Sequence, residues 1–301
     1  MLFRSLFEPL GIGQPEWDAS AQGISYGGFG LHLRTGDIAR FGQLLLQKGE
    51  WQGRRLVPAD WIEAATARQT ANGSNPDSDW EQGYGYQFWR CRHGFFRGDG
   101  AHGQFCIVMP QYDTVVAITS GTNNMGSVMQ ALWDHLLPEL RPAPLPEDPA
   151  GQAVLTARLA ALTLPTPQGA ATAPVAAAIE GRRFLVAAND LKLEAFKLAT
   201  DAAGQLVFTV WIGGEEAALR CGRGTWVQNT FPGPPAMPMP TPTAAAAAWT
   251  SDDTFTLKFY HSLTPFGATV RIRFAGDNAT LEVVPNPGKA LPPLEAHAAP
   301  R

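Results

Sequence analysis

The stretch "FRGDGAHGQFCIVMP", residues 96–110, decides how the first half of the chain is read. A Gly-rich segment with a single histidine, His102, runs directly into Gln104–Met109, an apolar run of strand length. A glycine turn feeding a buried strand reads as a hairpin. Polar residues at the mouth of such a strand read as the edge of a site. Working outward, Gly85–Arg92, Gln104–Met109 and Thr114–Ser120 are three strand candidates, joined by short connections that contain Gly or Asp. Met125–Leu137, apolar at Val128, Leu132 and Leu136, reads as a helix packed on that sheet and ending at Pro138. Upstream, Ile38, Phe41, Leu44 and Leu45 share one helical face, with Thr35 or Asp37 as cap and Gly49 as stop. Pro58–Thr66 reads as a second helix with proline in its first turn, and 71–82 as a polar loop.

The grammar changes after residue 140. "RPAPLPEDPA" at 141–150 has linker composition, and a short helix is expected at 152–162. From about 178 the chain offers only short strands: 184–187, 193–198, 206–212, 217–220, 255–260, 268–274 and 280–284. A proline-rich loop is expected at 231–242. In Thr254–Tyr260 and Thr269–Phe274 apolar and polar residues alternate with period two, one face wet and one dry. The expected fold class is therefore α+β, an antiparallel sheet with helices followed by a small all-β barrel or sandwich. The expected domains are 1–140, a linker with a short helix at 141–177, a β domain at 178–290 and a tail at 291–301.

With 301 residues, 45% apolar and 17% charged, the chain has material for two packed cores. A net charge of -4 without a Lys/Arg run argues against nucleic acid and anionic membranes as partners. No apolar run approaches the roughly 20 residues of a membrane span, and the N-terminus lacks a signal peptide's apolar core, so a cytoplasmic location is the default expectation. Cys91, Cys106 and Cys221 are odd in number and irregularly spaced, which reads as buried thiols rather than a disulfide framework. Cys91 with His93, and His102 with Cys106, lack the spacing of zinc knuckles, so no metal and no cofactor is expected. Gly23-Ile24-Ser25-Tyr26-Gly27 matches the nucleophile elbow, but that motif needs a buried strand before the serine and a helix directly after it. Polar residues precede Ser25 and three glycines follow, so an esterase of that type is a minor alternative.

Four segments together carry a resemblance. "LFEPLGIG" (6–13), "GGFGLHLRTGDIARFGQLLLQKGEWQGRRLVPADWIEAAT" (27–66), "GYGYQFWR" (83–90) and "DGAHGQFCIVMPQYDTVVAITSG" (99–121) resemble the later part of the serine beta-lactamase-like hydrolases. That family includes penicillin-recognising enzymes, esterases and amide-oligomer hydrolases. The second half is similar to the β-rich extension of some bacterial members.

The resemblance implies cleavage of a small-molecule ester or amide through an acyl-enzyme, without cofactor. It implies a Ser and a Lys in S-x-x-K, a Tyr or Ser in Y-x-N or S-x-N, and a K-T-G-like strand. The first three activate the hydroxyl and move its proton; the strand supplies an oxyanion N–H. On this resemblance Ala101-His102-Gly103 takes the place of K-T-G, Gln104 supplies the oxyanion N–H, and His102 lines the substrate pocket. No lysine stands there, which sets aside the carboxylate-binding role that favours beta-lactams.

The other two motifs are absent. Three residues before the lysines stand Leu45, Asn189, Glu194, Phe255 and Asn286, and no Tyr or Ser has Asn two positions later. The expectation is the C-terminal part of a serine hydrolase, truncated by a gene break or a misplaced initiation codon and inactive by itself. The competing reading is a non-catalytic protein: a pseudoenzyme, or a ligand-binding module centred on the β domain.

Overall fold

The structure, a computed structural model, describes residues 3–13, 15–141, 143–233 and 240–300. It divides into two compact units, 1–147 and 148–301.

In the first unit, the short pairs β1 (Glu16–Trp17) with β2 (Leu31–His32) and β3 (Glu50–Trp51) with β4 (Arg54–Arg55) flank helix α1 (Thr35–Leu46). Helix α1 begins at Thr35 without a side-chain cap; the Thr35 hydroxyl instead meets the Thr119 hydroxyl at 2.8 Å. Gly49, in the left-handed region at φ 85°, stops the helix by donating its N–H to Leu44 O. Helix α2 (Ala59–Thr66) follows, with Pro58 at its N-cap.

The central sheet has the order β5 (Trp89–Arg90), β6 (Phe96–Gly100), β7 (Gln104–Met109), β8 (Thr114–Ile118), all antiparallel. Leu45, Ile62, Phe96 and Val108 form one apolar layer against α1 and α2. Phe105, Ile107 and Met109 point to the other face, where Met129 and Trp133 cover them. Those two residues lie on helix α3 (Met125–Ala131) and the helical turns that continue it to Glu139. Gly42 of α1 is what permits close approach to the sheet: a Cβ there would lie 2.4 Å from Val115 Cγ1 and 2.8 Å from Cys106 Sγ.

Two expectations need correction here. The strand expected over Gly85–Arg92 shrinks to Trp89–Arg90, and Phe96–Gly100, read as part of a Gly-rich turn, is itself a strand. The chain reverses at Arg92–Gly94, where His93 has φ 62° and Gly94 φ 77°. Strand β6 hid because Arg97 and Asp99 occupy its inward positions, paired across the ladder with Ile107 and Phe105.

The second unit opens with helix α4 (Pro149–Ala160), capped by Asp148 Oδ1 accepting from Gly151 N at 2.9 Å. A strap over 163–170 then crosses the outside of the β structure. Leu164 O accepts from Trp226 Nε1, Pro165 O from Lys258 Nζ, and Ala170 bridges to Trp249. A single turn, α5 (Ala176–Ile179), leads into ten strands: β9 (Arg183–Val186), β10 (Leu193–Thr200), β11 (Leu206–Ile212), β12 (Glu215–Cys221), β13 (Val227–Pro232), β14 (Pro240–Trp249), β15 (Thr254–His261), β16 (Gly267–Ala275), β17 (Asn278–Asn286) and β18 (Leu294–Ala298).

Strands β9 to β12 and β13 to β18 are two antiparallel meanders, and the pairing of β18 with β9 joins them. The sheet is thus rolled into a nearly closed up-and-down barrel. Its seam lies between β12 and β13. There the Asn229 amide substitutes for ladder bonds, accepting from Arg220 N (2.8 Å) and donating to Arg220 O (3.0 Å).

The segment expected as a tail is corrected: Leu294–Ala298 is the strand that closes the barrel. Val227–Pro232 and Pro240–Trp249 are strands as well, so only 234–239 of the expected proline-rich loop falls outside the described residues.

Candidate functional site

The hairpin between β6 and β7 carries the three residues on which the sequence reading rests. The ladder closes at Gly100 opposite Gln104, leaving Ala101, His102 and Gly103 as the turn. His102 has φ 65° and Gly103 φ 88°, both in the left-handed region. Any side chain at Gly103 is strained, because a Cβ would lie 2.2 Å from Ser120 Oγ and 3.2 Å from Thr122 Cγ2.

What holds the turn is the chain just after β8. Ser120 Oγ reaches the carbonyl oxygens of His102 (3.0 Å) and Gly103 (2.8 Å), and Thr122 N donates to His102 O (3.1 Å). The Gln104 side chain donates to Ser120 O (2.6 Å) and Ala101 O (3.2 Å), and accepts from Ser120 N (3.3 Å). That amide is a structural brace and is not offered to a ligand.

These bonds also fix the turn's amides. In a trans peptide the N–H points opposite to the carbonyl of the preceding residue. With the carbonyls of His102 and Gly103 turned to Ser120, the N–H groups of Gly103 and Gln104 point away from it. On that side Gln104 is the ladder partner of Gly100 in β6, so the Gln104 N–H that the resemblance gives to an oxyanion is turned toward the neighbouring strand.

A buried polar network lies under β6, two residues from the turn, and the sequence reading missed it. Arg97, fully buried, donates from Nε (3.0 Å) and Nη2 (2.8 Å) to Asp99 Oδ2, and from Nη1 to Asp79 O (2.9 Å). Asp99 Oδ2 also accepts from Trp80 Nε1 at 3.0 Å, and the guanidinium lies 4.7 Å from the Trp80 ring centroid. Asp79 accepts from Arg92 N, Arg92 Nε and Trp133 Nε1. Arg and Asp two apart in a strand, with a Trp-rich surround, was the available signal.

Among the described residues no activated nucleophile stands beside the turn. Ser120 Oγ is committed to two carbonyls. Burial pushes the Cys106 thiol up to about 12 and the Cys91 thiol up to about 11, so both are protonated at neutral pH. Cys91 Sγ accepts from Arg97 Nη1 at 3.3 Å. Among the described residues no group of three His, Cys, Asp or Glu side chains is placed to hold a metal ion.

Ser25 lies elsewhere, in an exposed loop. Ser20 N donates to Ile24 O, Gly23 N to Ser20 O and Tyr26 N to Asp18 O, and Ser25 itself bridges to Ala19. A nucleophile elbow needs a strand before the serine and a helix after it. This loop leads instead to β2, and α1 starts only at Thr35.

No protein-family model matches the chain, and no curated protein matches it. Among solved structures it is similar to a "Putative 6-aminohexanoate-dimer hydrolase from Bacillus anthracis", 25% identical over 41% of this chain and 34% of that one, with a TM-score of 0.34. It is also similar to the octameric penicillin-binding protein homologue from Pyrococcus abyssi, 13% identical over 97% of this chain and 58% of that one, with a TM-score of 0.29. The chain therefore spans about a third of the first and under two thirds of the second. TM-scores this low establish a common fold with neither.

Proposed function

We propose that the first unit is the later part of a beta-lactamase-related serine hydrolase domain, with the β6–β7 turn along its substrate cleft. The observation that supports this reading is the turn braced by Ser120 and the Gln104 side chain, at the position the sequence resemblance gives to the K-T-G-like strand. In this reading the turn borders the oxyanion of a tetrahedral intermediate, and His102 lines the pocket for an ester or amide substrate. Oxyanion donors typically contribute about 10²–10³ in rate, far below enzymatic turnover. A serine hydroxyl stays a weak nucleophile until a base removes its proton. No lysine here has a serine three residues before it, so the nucleophile and its base must come from outside these 301 residues.

The alternative of a ligand-binding β domain has less support. The barrel lumen is filled by aromatic side chains: Phe184 stacks on Phe196 (centroids 5.1 Å apart) and meets Phe274 at 5.4 Å, with Phe255 and Trp249 buried beside them. A pseudoenzyme that kept the cleft wall remains the second reading.

The test is a serine-reactive fluorophosphonate together with an activated aryl ester. The chain alone should neither label nor turn over. Joined to a segment carrying S-x-x-K and Y-x-N in the family order, it should label at the S-x-x-K serine. Stoichiometric labelling of the chain alone, abolished by Ser25→Ala, would overturn the proposal; failure of the joined protein to label would favour the pseudoenzyme.

A further inference from the structure

The outer wall of the barrel carries a basic and aromatic group that the hydrolase reading does not use. In β9 and β10 the lumen-filling residues Phe184, Phe196 and Leu198 alternate with Arg183 and Lys197, which therefore face outward. Arg183 and Lys197 are direct partners across the ladder. One strand further, Trp211 of β11 stands opposite Ala195 and diagonal to Lys197. The Arg183 guanidinium carbon lies 4.1 Å from the Trp211 ring centroid, and the Lys197 ammonium lies 5.8 Å from it. One indole thus serves two cations.

Like charges directly opposite each other on a sheet repel, and among the described residues nothing neutralises these two. No hydrogen bond or ion pair reaches either head. The nearby acids are engaged elsewhere or stand apart. Asp277 holds the neighbouring Arg182 at 2.8 Å, and Glu180 Oε1 accepts from Thr200 N. Glu216, opposite Trp211 on β12, pairs with neither cation. The indole face attracts both heads and offsets part of their repulsion. Stacking also orients the guanidinium plane, so its outer N–H groups form a fork held ready for an acceptor.

This arrangement selects its ligand. An Arg fork presents two parallel N–H groups to two oxygens of one anion, and the ammonium beside it meets a third. A carboxylate offers two oxygens and one charge. A phosphate monoester offers three acceptor oxygens and close to two charges at neutral pH.

We propose that Arg183, Lys197 and Trp211 form a binding site for a phosphate monoester on the outer wall of the barrel. All three residues lie in the second unit, and the inference does not depend on the hydrolase reading.

The experiment follows the indole N–H resonance of Trp211 in the 301-residue chain, assigned by its loss in Trp211→Phe. Phenyl phosphate should shift the resonance saturably, and benzoate at equal ionic strength should not. Arg183→Gln and Lys197→Gln should each weaken binding by roughly tenfold, the loss of one charge-assisted contact. Arg271→Gln, exposed on the outer wall at β16, should leave it unchanged. Vesicles of phosphatidate in phosphatidylcholine separate the sources of the monoester. Sedimentation of the chain with them, lost in Arg183→Gln, would support the site with a lipid headgroup as its ligand. Binding of phenyl phosphate without such sedimentation would support it with a soluble one. No saturable shift, an equal shift with benzoate, or binding that survives both glutamine variants would overturn the proposal.

Discussion

Gly103 can be required for catalysis or for folding, and the geometry separates the two. In Gly103→Ala the new Cβ meets Ser120 Oγ at 2.2 Å while the backbone stays at φ 88°. A left-handed conformation costs a residue with a Cβ about 1–2 kcal/mol. Overpacking against a fixed neighbour adds about 1–3 kcal/mol. The Ser120 hydroxyl is not free to swing aside, because it bonds two carbonyls. The total is therefore about 3 kcal/mol. Ser120→Ala alone should cost about 1 kcal/mol, a typical hydrogen-bond contribution, since Thr122 N still serves His102 O.

Combined, the two substitutions should cost less than their sum. Removing Oγ deletes the 2.2 Å contact and leaves only Thr122 Cγ2 at 3.2 Å and Ser120 Cβ at 3.6 Å. The double variant should lose about 2–2.5 kcal/mol against an additive value of about 4, a coupling within the range found for residues in contact. Amide hydrogen exchange of Phe105–Met109 reads the opening of this sheet independently of the barrel. Additivity to within about 0.5 kcal/mol, or a Gly103→Ala chain as protected as the parent, would show that Gly103 is not held by Ser120.

Three further outcomes follow from buried or seam groups. Arg97→Met leaves the Asp99 side chain, 7% exposed, with the Trp80 indole as its side-chain donor among the described residues and should cost about 3–5 kcal/mol; Arg97→Met with Asp99→Asn should recover more than half of it, read by near-ultraviolet circular dichroism on heating. Burial holds the His261 imidazole below its ordinary value of 6.5. The folded barrel thus favours the neutral ring, and its contribution is complete above that value and lost as pH falls below it toward the lowered pKa. The barrel's urea midpoint should drop between pH 7.5 and pH 5, and His261→Gln should flatten the slope; an unchanged slope would refute the assignment. Asn229→Ala removes both seam bonds to Arg220 and should cost about 1 kcal/mol. Exchange should quicken at the Arg220 amide but not at Phe255–Leu257.

The elements that could be read from sequence are those whose pattern follows from burial alone. Helix α1 is placed by Ile38, Phe41, Leu44 and Leu45, strand β7 by its unbroken apolar run, and β15 and β16 by the alternation of apolar and polar residues in their sequences. Strands β6, β14 and β18 each depend on a partner that sequence order does not reveal. In β6 a charged residue takes an inward position because Asp99 Oδ2 and Asp79 O accept from Arg97 and the rings of Trp80 and Trp89 lie against its guanidinium, so the hydrophobic template fails where the polar network is complete. The alanines of β14 favour helix by propensity. Ala245 and Ala247 are nevertheless fully buried in a strand, because their small side chains leave room for the phenylalanines and Trp249 that fill the lumen. Strand β18 is short and weakly patterned, and it exists because β9 and β17 each present an edge to it.

The same limit applies at the candidate site. His102, Gly103 and Gln104 are singled out by the resemblance, aligned on the glycine, whereas Ser120, which holds the His102 and Gly103 carbonyls, comes 16 residues after Gln104. Its hydroxyl carries no chemistry of its own here. It matters because its bonds to the His102 and Gly103 carbonyls tie the glycine turn to the chain that follows β8.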